Sequence, residues 1–206
     1  MRDAAQLLQI EAEAYRPVLE GLPPADFDKQ TVCELWSVRD VIAHQSAVLQ
    51  IINAGEQAPF TAESNQRDVD DRKTWDVDRL LAELFGGYED AIAVIDTAGG
   101  LLDGFGLAQF IHGGDVRDAV GATDAFASPG HEIAVDLLHD KSTVMKKAPV
   151  ITRVDGVLRQ FGLDLDPVGR LVTNTETFVR LCGGRNPDDG NWSVEGISAV
   201  DFVLYG

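Results

Sequence analysis

The sequence predicts a mainly α protein with a four-helix bundle, additional helices after it and a small α+β portion at the C-terminus. Before residue 125, apolar residues recur at three- and four-residue spacing in four long segments, which is typical of amphipathic helices. Glycines and prolines separate these segments. From Pro167 onward, short apolar runs alternate with turn residues, which favours strands. We therefore expect a bundle over residues 1–125, further helices over 126–166 and an α+β portion over 167–206.

The first two bundle helices have clear boundary signals. The first helix is predicted over residues 3–20 and ends at Gly21. The second begins at Ser37, where S-V-R-D predicts a capping box, and runs to about Asn53. The polar stretch from Gly55 to Thr74 lacks apolar periodicity, so we predict a long connection there that folds over a site.

The third and fourth bundle helices follow this connection. The segment from Val77 to Ile95 has the most regular apolar spacing, and its Gly86-Gly87 pair predicts a kink or a close helix contact. The fourth helix is predicted from about Leu102 to Val120, directly before Gly121.

The later elements are shorter. Ser128 is predicted to cap a helix that begins with Pro129. The others are a helix between Pro149 and Gly162, strands over 170–173 and 192–195, a short helix over 176–182 and a terminal helix over the last ten residues.

Composition limits the partners of this chain. The formal net charge of −17 disfavours nucleic acid, whose phosphates would be repelled. The two cysteines, Cys33 and Cys182, have no neighbour at CxxC spacing, so a structural zinc or a disulfide framework is not predicted. We find no signal peptide and no membrane span. We expect a cytoplasmic monomer or homodimer that binds small molecules.

Two histidines are candidate metal ligands. His44 lies on the apolar stripe of the second helix, where a single histidine is more often a hydrogen-bonded core residue than a ligand. His112 supports the ligand interpretation, because it lies on the fourth helix with Ala108 one turn before it and Asp115 three residues after it. Two histidines on facing helices can share a metal inside a bundle.

The third ligand is open at this point. Neutral imidazoles suit zinc, nickel or iron, and a catalytic site adds a carboxylate and an open position. Asp115 either binds the metal or orients the His112 ring. Glu11, on the inner stripe of the first helix, is a further candidate because a buried acid needs a partner.

Other reactive residue types have less support. Cys33 is either a thiol activated by the nearby helix start or a small buried hydrophobe beneath Trp36. His131 and His139 belong to the later helical region, and His139 is predicted to face solvent beside Asp140. We place both histidines outside the site.

Two motifs carry a family resemblance. They are T-V-C-E-L-W-S-V-R-D-V-I-A-H at residues 31–44 and H-G-G-D-V-R-D-A-V-G at residues 112–121. Both resemble signatures of the mycothiol-dependent maleylpyruvate isomerase family, within the wider DinB-like bundles. L-C-G-G-R-N-P at 181–187 and V-E-G at 194–196 resemble the small C-terminal domain of that family, which is related to sterol carrier proteins.

The resemblance implies a DinB-like up-down four-helix bundle that holds a divalent metal, most often zinc, through two histidines and an acid. His44 and His112 match the two histidines. The acid of the family lies four residues before the second histidine, where this chain has Ala108 followed by Gln109. The third ligand is then Asp115, Gln109 or water, or the protein no longer binds metal.

The resemblance also implies the chemistry. Mycothiol would be the thiol cosubstrate, and its metal-favoured thiolate would attack a small electrophilic substrate in an isomerase or S-transferase reaction. Arg185 is the candidate residue for binding an acidic substrate, and its alternative role is to cap the helix before it. The alternative function is a non-catalytic bundle that lost its third ligand and serves as a binding or regulatory protein.

Overall fold

The structure is a computed structural model that describes residues 1–56, 60–187, 190 and 192–205. These residues form seven α-helices and one four-stranded sheet, which confirms the predicted mainly α fold. The chain divides into two compact units, Met1–Ala125 and Phe126–Gly206. Within the described ranges, no helix is both long enough and apolar enough to cross a membrane.

The first unit is a helical bundle. Its helices are α1 (Asp3–Glu20), α2 (Val38–Asn53), α3 (Ala62–Arg72), α4 (Val77–Thr97) and α5 (Asp103–Ala119). Helices α1 and α2 each pack against both α4 and α5, so these four helices form the bundle, and α3 packs along α2. Large apolar side chains from all four helices are fully buried, among them Leu7, Tyr15, Ile42, Tyr88 and Phe110.

Two predicted sequence signals determine how α2 sits in the bundle. Ser37 and Asp40 form the predicted capping box, in which the Ser37 N–H donates to Asp40 Oδ2 at 2.9 Å. The predicted close helix contact is found at Gly87 of α4, where a Cβ atom would lie 2.9 Å from Leu49 Cβ of α2. A Cβ atom at Gly86 would meet nothing. The glycine at 87 therefore allows α4 to approach α2.

The long connection predicted between Gly55 and Thr74 is wrong over most of its length, because this segment contains α3. Thr61 and Ser64 form a capping box at its start, with the Thr61 N–H donating to Ser64 Oγ at 2.8 Å. Ser64 and Val69 are the buried residues of this helix, so its sequence carries no apolar period. Residues 57–59 of the predicted connection lie outside the described residues.

The second unit combines helices with a mixed sheet. Its elements are α6 (His131–Val144), β1 (Val150–Val154), β2 (Val157–Phe161), β3 (Gly169–Thr173), α7 (Thr175–Cys182) and β4 (Ser193–Glu195). The strand order is β2-β1-β3-β4, with β1 and β3 parallel and the other neighbours antiparallel. The strands predicted near 170–173 and 192–195 and the helix near 176–182 are present. The predicted terminal helix is reduced to a 3-10 turn over Ala199–Phe202.

Two predictions in the second unit are wrong. The helix predicted between Pro149 and Gly162 is the hairpin β1-β2, whose two-residue turn is formed by Asp155 and Gly156 with φ values of 47° and 85°. An Asp-Gly pair between β-branched runs favours this turn over a helix. The helix expected to start after Ser128 starts at His131, because a turn comes first, in which the His131 N–H donates to the Ser128 carbonyl at 2.9 Å.

Candidate metal and thiol site

The two candidate histidines lie together in the first unit. The imidazole centroids of His44 on α2 and His112 on α5 are 5.4 Å apart, and the rings are nearly perpendicular at 87°. The Trp36 ring, in the loop before α2, lies 4.9 Å from the His44 ring and 6.4 Å from the His112 ring. The bundle therefore brings both histidines and one aromatic wall to the same place.

His44 is a buried histidine with one unsatisfied nitrogen. Its exposed fraction is 6%, and its Nδ1 atom has no hydrogen-bond partner among the described residues. The Asp68 Oδ2 atom of α3 lies 3.6 Å from this nitrogen, which is too far for a good hydrogen bond. Burial lowers the pKa of His44, and the Asp68 carboxylate partly opposes that shift. The ring is therefore held in its neutral form, which is the form that binds metals.

A second group of donors surrounds His112. The His112 Nδ1 atom lies 3.0 Å from Asp115 Oδ2, and Asp115 is fully buried. The half-buried Cys33 donates its thiol proton to the same Asp115 oxygen at 3.5 Å. One potential ligand atom from each of these residues lies within 4.8 Å of the others. We call Cys33, His112 and Asp115 the donor triad.

Hydrogen bonds of the loop before α2 determine where Cys33 lies. The Thr31 hydroxyl accepts from the Cys33 N–H at 3.2 Å and donates to the Trp36 carbonyl at 2.8 Å. The Trp36 N–H donates to the Cys33 carbonyl at 2.8 Å, which closes a tight turn. The Trp36 indole N–H reaches Gln66 of α3 at 3.0 Å. The T-x-C-x-x-W part of the motif is therefore a hydrogen-bonded loop that holds the thiol against Asp115.

Glu11 has a partner other than a metal. Its carboxylate forms a buried ion pair with Arg117 of α5. The Arg117 guanidinium also lies 5.3 Å from the Tyr15 ring and donates to the Ala125 carbonyl at 3.4 Å. A side chain at Gly113 would overlap the Glu11 carboxylate, so the first glycine after His112 makes room for this pair. Arg117 satisfies the need for a partner that suggested Glu11 as a ligand.

Gln109 is also engaged elsewhere. Its Oε1 atom accepts from Gln45 Nε2 at 3.0 Å and from the Tyr88 hydroxyl at 3.3 Å. Its Nε2 atom donates to the Gln45 carbonyl at 3.1 Å. The amide thus links α5 to α2 and α4, and Gln109 is not available to replace the acid that the resemblance implies at position 108. Ala108 beside it is half-buried and offers no donor.

The predicted residues of the second unit have local partners. The Arg185 guanidinium donates to the Gly183 carbonyl, and its N–H donates to the Arg180 carbonyl at 2.8 Å, so this residue closes the end of α7. His131 is half-buried, with Nδ1 2.9 Å from the Ser128 carbonyl. The prediction that His139 faces solvent is wrong, because its exposed fraction is 6%. Asp140 beside it is exposed, which made the helix face look solvated.

Sequence reasoning missed two features of the site. Cys33 was not considered as a metal ligand, although it shares one motif with Trp36 and His44. Asp68 was missed because its segment was predicted to be a connection rather than α3. The capping residues at Thr61 are a signal that predicts the start of this helix. With a helix predicted there, Asp68 becomes a candidate neighbour of α2.

The fold and the donors define a class: a helical bundle with imidazole, carboxylate and thiol groups on its inner side, followed in the chain by a small α+β unit. Residues 8–99 match the family model described as Mycothiol maleylpyruvate isomerase N-terminal domain. This part of the chain, which contains the motif at residues 31–44, is similar to that domain, and the match confirms the resemblance carried by that motif. His112 and Asp115 lie beyond the matched residues.

Two solved structures have a similar fold. They are the mycothiol-dependent maleylpyruvate isomerase, with a TM-score of 0.61, and a histidine-to-alanine mutant of that isomerase, with a TM-score of 0.62. Each is 14% identical in sequence, and each alignment covers 96% of this chain and 95% of the other. At this identity the likeness establishes the fold. None of the curated proteins matches the sequence.

Proposed function

We propose that this protein is a metal-dependent, mycothiol-using isomerase or S-transferase that acts on a small electrophilic substrate. The observation that carries the proposal is the pair of imidazoles at 5.4 Å, in which His44 Nδ1 is buried without a partner among the described residues. The match of residues 8–99 to the family model and the similarity in fold to a mycothiol-dependent maleylpyruvate isomerase support the same chemistry. Low-molecular-weight thiols are kept reduced in the cytoplasm, so we assign the protein to that compartment.

The donor set fits a divalent ion such as zinc. Neutral imidazole nitrogens and a carboxylate oxygen are typical zinc ligands. We propose His44, His112 and Asp115 as the residues that hold the ion. The alternative role of Asp115 is to orient the His112 ring through the 3.0 Å contact, as acids behind metal-binding histidines commonly do.

Each residue of the site has a task in this proposal. A divalent metal, when bound, supplies Lewis acidity that favours the thiolate form of a thiol at neutral pH. The Asp68 carboxylate stands 3.6 Å from His44 Nδ1 and adds negative charge beside that nitrogen, which favours a cation there. Trp36 lies beside both imidazoles and would limit the access of water from that side. Arg185 is our candidate for binding a substrate carboxylate.

Metal content of the purified protein tests the proposal. After reconstitution with zinc or nickel and removal of the excess, we expect about one equivalent of metal, because a tetrahedral site binds one ion. His44→Ala and His112→Ala should each lose most of it, whereas His131→Ala, a histidine in the other unit, should retain it. Less than about a tenth of an equivalent in the unmodified protein would contradict metal-dependent catalysis.

Thermal unfolding with mycothiol tests the cosubstrate. A ligand that binds only the folded state raises the Tm, so mycothiol should raise it when metal is present. The same thiol added to the chelated protein is the control and should have little effect. An unchanged Tm at saturating thiol in the metal-loaded protein would point to a different cosubstrate.

The half-buried Ala108 favours one alternative, a bundle that binds but does not catalyse. The resemblance implies an acid at this position, and no donor stands there in this chain. Under the alternative, metal-loaded protein would bind thiol without forming a thiol adduct of any electrophile, and Ala108→Glu would restore adduct formation. Mass spectrometry of the reaction mixture separates the two functions, since our proposal requires the unmodified protein to form the adduct or the isomer.

A further inference from the structure

We infer that Cys33 is itself a metal ligand of this site, supplying through its sulfur the donor that Ala108 does not supply. This inference rests on the proposed function, because it assigns a fourth protein ligand to the same metal, to which the cosubstrate thiol would add as a fifth ligand. It concerns a residue in the loop before α2, whereas the histidines and Asp115 lie on helices.

Two distances within the donor triad are close to those around a small tetrahedral ion. Cys33 Sγ lies 3.5 Å from Asp115 Oδ2, and His112 Nδ1 lies 3.0 Å from the same oxygen. Tetrahedral zinc, with bonds of about 2.3 Å to sulfur and about 2.0 Å to nitrogen or oxygen, separates its donors by about 3.5 Å for sulfur and oxygen and about 3.3 Å for nitrogen and oxygen. These two donor pairs therefore need little rearrangement to bind such an ion, and one ligand atom of each of the three residues lies within 4.8 Å of the others.

The two cysteines differ in their surroundings. Cys33 is half-buried, lies beside an imidazole and a carboxylate, and is held by the Thr31 and Trp36 hydrogen bonds. Cys182 is fully buried at the end of α7, and burial raises the pKa of its thiol. Cys33 therefore has the access and the neighbouring donors that a ligand requires, and Cys182 serves as an internal control.

Sulfur ligation has a consequence for metal choice. Thiolate ligands favour zinc and other borderline ions over magnesium or calcium, which prefer oxygen. We therefore expect zinc and cobalt to bind, and magnesium to be displaced by either ion. Alanine at position 108, where the resemblance implies an acid, would then mean that a sulfur ligand replaces a carboxylate ligand and that the metal site is retained.

Cobalt(II) reconstitution of the full-length protein tests the assignment. A thiolate bound to cobalt gives an intense charge-transfer absorption in the near ultraviolet, which nitrogen and oxygen ligands do not give. We expect this absorption in the unmodified protein and in Cys182→Ser, and its loss in Cys33→Ser with cobalt still bound. Bound cobalt without the absorption, or an absorption that persists in Cys33→Ser, would overturn the assignment and leave the proposed function standing. If no variant binds cobalt, the assignment and the proposed function both fail.

Alkylation kinetics give a second measurement that needs no variant. Because a metal-bound thiolate is shielded, saturating zinc should slow iodoacetamide modification of Cys33 by at least about tenfold, and a chelator should reverse the effect. Peptide mass spectrometry reads both cysteines in one sample, and Cys182 should stay unmodified under both conditions in the folded protein. Equal Cys33 rates with and without zinc would overturn the assignment even if Cys33→Ser did not fold.

Discussion

The two most buried histidines of the described chain are equally buried but differ in their partners. His44 and His139 each have an exposed fraction of 6%, and burial lowers the pKa of both. In His139, Nδ1 lies 2.7 Å from the Val135 carbonyl, and Nε2 lies 2.7 Å from the Thr152 hydroxyl. The ring also stacks on Phe178 at 4.7 Å. In His44, the Nδ1 atom has no such partner among the described residues.

This difference separates a structural histidine from a candidate ligand. A carbonyl only accepts, so His139 Nδ1 carries the proton, and Nε2 of the neutral ring accepts from the Thr152 hydroxyl at 2.7 Å, whose alternative acceptor is the more distant Arg159 carbonyl at 3.2 Å. Every polar atom of that ring is satisfied, as expected in a core. The Glu11–Arg117 pair follows the same rule in the first unit. An unsatisfied nitrogen at equal burial needs another explanation, and a ligand supplies one.

The largest effect is expected where a satisfied buried group loses its partner. Arg117→Leu leaves the Glu11 carboxylate buried without its counter-charge, which should lower the free energy of unfolding by about 3–5 kcal/mol. Urea denaturation at pH 7 measures the loss. The matched control is the double variant Glu11→Leu with Arg117→Leu, which should recover much of it. A loss below about 1 kcal/mol in the single variant would mean that the pair does not stabilise the bundle.

The structural histidine comes next. His139→Ala removes the stacking on Phe178 and leaves the Thr152 hydroxyl without its nitrogen partner, so we expect a loss of about 2–3 kcal/mol. The same urea titration measures it. An unchanged free energy of unfolding in His139→Ala would show that the contacts of this ring do not stabilise the protein.

The stability of the folded protein should depend on pH through the titration of His139. Because the pKa of its folded form is lowered from the usual 6.5, the unfolded chain takes up the proton first as the pH falls. The stabilising contribution is present above pH 6.5 and is lost as the pH falls through the pKa of the folded form. Thermal melts of the unmodified protein and of His139→Gln measure this contribution. They should run from about pH 8 to about pH 5, the range in which a histidine titrates. The difference between their Tm values should shrink toward low pH, and a constant difference would contradict a lowered pKa.

The smallest effect should come from the candidate ligand. Metal-free His44→Ala loses packing but also removes an unsatisfied buried nitrogen, so the net change should stay within about 1 kcal/mol. The same urea titration, carried out on chelator-treated His44→Ala and chelator-treated unmodified protein, gives this change in the free energy of unfolding. It can then be compared with the loss in His139→Ala. Equal losses for the two variants would mean that His44 is also a structural residue, and the distinction between the two rings would fail.

Much of the fold was predictable because local signals and packing agree. The boundaries of α1, α2 and α5 follow from apolar spacing, the Ser37 capping box and terminal glycines. Helix α3 was missed because it rests on α2 with a mostly polar surface, which leaves no apolar period. The hairpin β1-β2 was missed because its apolar residues were assigned to a helix despite the Asp155-Gly156 turn.

The candidate site was predictable only in part. His44 and His112 could be placed on inner helix faces because helix periodicity determines where their side chains lie. Their separation, the position of Cys33 against Asp115, and the position of Asp68 beside His44 depend on a loop and on how α3 packs. Periodicity does not encode such contacts. The role of Arg185 stays a prediction.

Gly113 affects how genetic data on the motif at residues 112–121 should be interpreted. The residue directly follows His112, so a mutational scan that finds it intolerant would seem to mark the active centre. Its lack of a side chain instead leaves room for the Glu11 carboxylate beside Arg117. A loss at this position should therefore appear as a lower yield of folded protein, with an unchanged metal content for each molecule that does fold.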